Sequence, residues 1–124
     1  MSDLPVVDVN LFVRNGAATI AEAVRCVLGQ TWGALTLTVI DNGSTDATSA
    51  VIRHWAIDRP FTVRLLSEPL PGLARARNRA LRAARGRIVA MTDDDCVLHP
   101  DYFAHMARAF AGQPAPVIIG GRIL

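Results

Sequence analysis

The sequence predicts an α/β fold, a mainly parallel sheet flanked by helices. Short apolar runs rich in Val, Ile and Leu alternate with longer stretches of helical spacing, the form that strands joined by crossover helices take in sequence. Polar clusters also recur just past three of those runs, at Arg14-Asn15, Asp41-Asn42 and Asp93-Asp94-Asp95. In an open α/β sheet the ligand site lies beyond the carboxyl ends of the strands.

Val6 to Val13 reads as the first strand. Thr19-Ile20-Ala21-Glu22 fits a capping box, in which Thr19 accepts from the backbone three residues on and Glu22 reaches back. Ile20, Val24, Val27 and Leu28 then form the buried stripe of a first helix stopped at Gly29. Leu35 to Ile40 is the second strand. It ends in Asp41-Asn42-Gly43-Ser44-Thr45-Asp46, where Ser44 or Thr45 caps a second helix with Val51, Ile52 and Trp55 on its apolar face. Val63 to Leu66 is the third strand, and Pro69-Leu70-Pro71-Gly72 is a rigid turn into a third helix closed by Gly86. Ile88 to Thr92 is the fourth strand, broken by the aspartate triplet. Pro100 suits the first position of a fourth helix carrying Phe103, Met106 and Phe110, and Pro116 to Ile119 reads as a last strand.

The chain has 124 residues, 51% of them apolar, enough for one compact domain with a core and too few for two. No apolar run approaches the roughly 20 residues that span a bilayer. The opening Met1-Ser2-Asp3-Leu4-Pro5 has no basic segment followed by an apolar one, so a cytoplasmic location is expected, with the inner face of the membrane reached only through partners. Cys26 and Cys96 follow no zinc or redox spacing and read as reduced, buried small hydrophobes. The net charge is +2 and all 13 basic residues are arginine, six of them between Arg75 and Arg87. That run reads as a solvated helix face, and nucleic acid is not an expected partner. A phosphoryl-transfer enzyme is disfavoured by the lack of both a GxxxxGK[ST] loop and any lysine.

If the strand order is 3-2-1-4, the three polar clusters meet in one crevice. Three successive carboxylates repel one another, so a positive group belongs among them. On an extended backbone Asp93 and Asp95 point one way and Asp94 the other. Hard oxygens of this kind suit Mg²⁺ or Mn²⁺, which complete their shells with water and phosphates. The competing reading is a solvated acidic loop at the start of the fourth helix. On the third helix Leu73, Ala76, Ala80, Leu81 and Ala84 share a face with Arg77 in its middle, so Arg77 is expected either to pair with a crevice carboxylate, a phosphate or a base, or to snorkel its charge to water, or to serve only as a structural ion pair at the sheet edge. Asp41 either orders its own turn or accepts from a base or sugar. Thr92, His54 and His105 read as structural, and His99 as a helix-entry residue before a metal ligand.

Val39-Ile40-Asp41-Asn42-Gly43-Ser44-Thr45-Asp46, Gly72-Leu73-Ala74-Arg75-Ala76-Arg77-Asn78 and Val89-Ala90-Met91-Thr92-Asp93-Asp94-Asp95-Cys96, with Pro100-Asp101 and the Gln30-Thr31 pair, resemble the successive motifs of family-2 glycosyltransferases. The resemblance implies that residues 1–124 form a single, incomplete domain of the Rossmann-like GT-A type, its nucleotide-binding half. It implies a nucleoside-diphosphate sugar as donor, a UDP-sugar first, with Asp41 at the base, Arg77 and Asn78 bordering the nucleotide, and Val13, Arg14, Asn15 and Asn42 lining its pocket. Asp93 and Asp95 then match the DxD motif, with Asp93 near the ribose and Asp95, joined by Asp93, on a divalent Mg or Mn ion, and Asp94 between them is expected to touch the nucleotide sugar. The general base of inverting transfer is not assigned, since no Asp or Glu follows Asp101. A chain of this kind is expected to bind donor better than it transfers sugar, and to self-associate or pair with a second polypeptide.

Overall fold

The structure, a computed structural model, describes residues 5–57, 63–114 and 118–120. Eight elements alternate along them: β1 (Val7–Val13), α1 (Ile20–Leu28), β2 (Leu35–Asp41), α2 (Thr48–Ile57), β3 (Val63–Ser67), α3 (Leu73–Ala83), β4 (Ile88–Asp93) and α4 (Tyr102–Ala111). The four strands form one parallel sheet in the order β3-β2-β1-β4. The strand order therefore reverses between β1 and β4, as expected.

β1 is buried along all seven residues because it has a strand on each side and helices on both faces. Its odd-numbered side chains Val7, Val9, Leu11 and Val13 pack with Leu37 and Val39 against Ile20, Val24 and Val27 of α1, Ile52 of α2 and Phe103 of α4. Burying each such aliphatic side chain contributes about 1.5–3 kcal/mol. On the other face Phe12 and Ile40 meet Ala76 and Ala80 of α3, whose small side chains let the helix lie close to the sheet. Towards the amino ends of the strands that second face is polar. Asp8 accepts from the Arg85 amide at 2.8 Å and from the Thr36 hydroxyl at 3.2 Å, while Arg64 donates to Thr38 and to the Ala83 carbonyl at the end of α3.

Several local expectations are corrected. Thr19 precedes α1 in a helical conformation and its side chain makes no capping bond, because its hydroxyl is committed to a distant carboxylate. α2 begins at Thr48, and Asp46 rather than Ser44 or Thr45 accepts from its first amide, at 2.9 Å. α3 ends at Ala83 with an extended Ala84, ahead of Gly86. α4 starts at Tyr102 after Asp101, so Pro100 lies outside it. Of the expected last strand, Pro116 and Val117 lie outside the described residues, and Ile118 and Ile119 are in neither helix nor strand.

Candidate functional site

The register pairs Val13 with Asp41 and Phe12 with Asp93, which sets the carboxyl ends of β2, β1 and β4 side by side. A cavity of about 330 Å³ opens beyond them, with Val13, Arg14, Asn42, Gly72, Leu73 and Asp93 in its wall. Its far side is the start of α3. Gly72 has φ +139°, a conformation that disfavours a side chain, and no side chain caps the helix. The first-turn amides of α3 thus keep the positive end of the helix open to an anion. Asn42 holds this turn in place. Its amide donates to the carbonyls of Glu68 at 3.0 Å and Leu70 at 2.9 Å and accepts from the Gly72 amide at 3.1 Å, so its side chain shapes the wall from within.

The loop between β1 and α1 ties the clusters together. Asn15 takes a positive φ of 52°, which asparagine tolerates better than most residues. Its amide donates to Ser44 Oγ at 2.9 Å, and its side-chain oxygen accepts from the Thr45 amide at 2.7 Å. The Gly16 amide donates to Thr48 Oγ1 at 3.0 Å and the Ala17 amide to Asp46 Oδ2 at 3.2 Å. The Thr48 hydroxyl donates in turn to Asp46 Oδ1. That hydroxyl first, and then the amides of Thr48 and Ala17, hold the Asp46 carboxyl below the usual carboxylate range. Asp41 is nearly buried; one of its oxygens accepts from the Ser44 amide at 3.1 Å, and the other has no hydrogen-bond partner among the described residues.

At the end of β4 the triplet divides. Asp93, Asp95 and Cys96 are exposed, and one ligand atom from each falls within 4.8 Å of the others. Asp94 turns the other way, its Oδ2 accepting from the Thr19 hydroxyl at 2.5 Å. The carboxylate oxygens of Asp93 and Asp95 are the hard donors that Mg²⁺ or Mn²⁺ takes, and they fit such an ion. Cys96 is not the buried hydrophobe expected of it, because the turn after β4 carries it outward, and Cys26 is only half-buried. His99 stays out of this group: its Nδ1 accepts from the Asp101 amide and its carbonyl accepts from Gln30 Nε2.

Arg77 departs most from expectation, for it is exposed, as is Asn78. The buried face of α3 is only the alanine pair, while Leu73 and Leu81 are half exposed, so the flank between them that carries Arg77 faces solvent. Gly16 and Thr48 do not stand out in the sequence, and Thr19 reads there only as a helix cap, although these residues join the loops. Their signal is only the small or hydroxyl side chain just past a strand end, too common to single out.

The match to known proteins decides the family. The model of glycosyl transferase family 2 matches residues 9–124. The chain belongs to that family. It is 29% identical, over 94% of its own length, to the putative glycosyltransferase EpsH of Bacillus subtilis, of which it covers 33%. Mannosyltransferase PcManGT from Pyrobaculum calidifontis, solved in complex with GDP-Man and Mn²⁺, aligns with a TM-score of 0.78 at 32% identity over 91% of this chain and 34% of that one. Glucosyl-3-phosphoglycerate synthase from Mycobacterium tuberculosis, solved with Mn²⁺, UDP and phosphoglyceric acid, aligns with a TM-score of 0.61 at 32% identity over 77% of this chain and 35% of that one. The chain thus has the GT-A fold and spans about a third of the length of these relatives. Among the described residues no helix is long and apolar enough to cross a membrane.

Proposed function

We propose that this chain is the donor-binding portion of a cytoplasmic glycosyltransferase that moves a sugar from a nucleoside-diphosphate sugar, a UDP-sugar first, to an acceptor. The observation that carries the reading is the meeting of Arg14, Asn42 and Asp93 in the wall of one cavity at the carboxyl ends of three neighbouring strands, where the strand order reverses and Asp41 ends β2 beside Val13. Asp41 offers its unpartnered oxygen to a base N–H. Arg14 and the open start of α3 supply positive charge to a diphosphate. Val13 and Asn42 shape the pocket, Asn15 sets the course of its loop, and Arg77 and Asn78 border the nucleotide from the exposed flank of α3. Asp93 faces the ribose and, with Asp95, would hold a Mg or Mn ion. When bound, such an ion stabilises the negative charge that develops on the departing nucleoside diphosphate.

No residue of this chain is assigned as general base, a group worth about 10²- to 10⁴-fold in rate. A second reading, a binding module completed by another polypeptide or by a second copy, is favoured by an apolar groove of about 440 Å³ along β4. Calorimetric titration of UDP and then GDP, with and without Mn²⁺, tests the donor site. Metal-dependent binding that Asp95→Ala abolishes is expected. A folded chain that binds neither nucleotide would refute it.

A further inference from the structure

We propose that Thr19 and Asp94 are positioning residues: the hydrogen bond between them fastens the aspartate turn to the start of α1 and so holds Asp93 and Asp95 in the arrangement that takes a divalent cation. The inference rests on the donor-site reading and gives Asp94 a role other than touching the donor.

The Thr19 hydroxyl has one proton and two acceptors in reach, the Gly16 carbonyl at 3.3 Å and Asp94 Oδ2 at 2.5 Å. The shorter contact has the length of a charge-assisted bond from a hydroxyl to a carboxylate, so Asp94 takes the proton. The seat is shaped for that carboxylate. A Cβ on Gly16 would stand 2.5 Å from Asp94 Oδ2 and 2.5 Å from Val13 Cγ2, so the glycine leaves the room that the Asp94 carboxylate occupies. Gly16 is itself anchored, donating to Thr48 and accepting at its carbonyl from the Ile20 amide at 2.9 Å. The place is also favourable electrostatically, being beside the positive end of α1.

β4 stops at Asp93, so ladder pairing no longer guides the backbone through the rest of the turn. The local bond there is from the Cys96 amide to the Asp93 carbonyl at 3.3 Å. Three neighbouring carboxylates would spread apart by repulsion. Drawing Asp94 aside to Thr19 leaves Asp93 and Asp95 to converge on the opposite side. Partners that orient metal ligands commonly account for about 10- to 100-fold in metal affinity.

The test is Mn²⁺ affinity of the full chain, read from the paramagnetic resonance of free Mn²⁺, for Thr19→Val, Thr19→Ser, Asp94→Ala and the Thr19→Val/Asp94→Ala double variant, each checked for folding by circular dichroism. Thr19→Val and Asp94→Ala should each weaken Mn²⁺ binding about 10-fold. Thr19→Ser should bind as the parent does, and the double variant should be no weaker than either single one. Parent-like affinity in Thr19→Val, equal loss in Thr19→Ser, or additive losses would overturn the proposal. Hydrogen exchange of the amides of residues 94–96 without metal separates this failure from that of the donor site. Those amides should exchange faster in Thr19→Val than in Thr19→Ser, and equal rates sink the fastening itself. Asp95→Asn binding Mn²⁺ as tightly as the parent sinks the donor-site reading instead.

Discussion

Asp46 shows how an exposed residue is put to work by its neighbours. Its carboxylate accepts from the amide and hydroxyl of Thr48 and from the amide of Ala17, so it caps α2 and anchors the loop after β1 at once. These donors favour the ionised form and lower its pKa in the folded chain. The stabilisation is therefore fully present above the unfolded value, about 3.9, and is lost as pH falls through the lower folded value. Asp46→Asn should lower the urea midpoint at neutral pH, and the gap to the parent should close as pH drops below about 4. The effect is small because the group is exposed. A gap that stays constant down to the acid limb would show that charge plays no part.

At the scale of elements, the Pro69–Gly72 turn and α3 depend on Asn42, which is nearly buried and uses both ends of its amide on that turn. Asn42→Ala removes three hydrogen bonds to partly buried backbone groups, each worth about 0.5–1.5 kcal/mol. It should lower the thermal midpoint and also weaken nucleoside-diphosphate binding, because the start of α3 then drifts from the cavity. Loss of stability with unchanged nucleotide affinity would separate the turn from the site. Strands and their order are legible in the sequence because β1, β2 and β4 are apolar runs of the right length, and right-handed crossovers leave few ways to arrange them. The polar residues past those runs mark the crevice for the same reason. Helix ends are less legible, since Thr19 looks like a cap until Asp94, 75 residues away, claims its hydroxyl. Arg77 and Cys96 are misplaced in sequence for a related cause. Their exposure depends on what lies beside α3 and past β4, and helical spacing says only which residues share a face.

For the whole molecule, the unresolved balance lies along β4. Among the described residues β4 pairs only with β1, and no other strand of them lies along its outer edge. Beside that edge Val89 and Met91 are 37% and 42% exposed, Leu81 is 53% exposed, and Ile118 is fully so. Contiguous apolar surface next to an open strand edge is where another chain adds most readily. The isolated chain should therefore self-associate, with weight-average mass rising with concentration in sedimentation equilibrium under reducing conditions that keep the exposed Cys96 from cross-linking. Val89→Lys with Met91→Lys places two charges on that surface and should return the chain to a monomer. Because both sites are substantially exposed, thermal stability should move by no more than about 0.5 kcal/mol per site. If the parent is monomeric at high concentration, the β4 surface tolerates water and contributes nothing to assembly. If the double variant associates as the parent does, the contact lies on another face, and the exposed arginine flank of α3 becomes the next surface to neutralise.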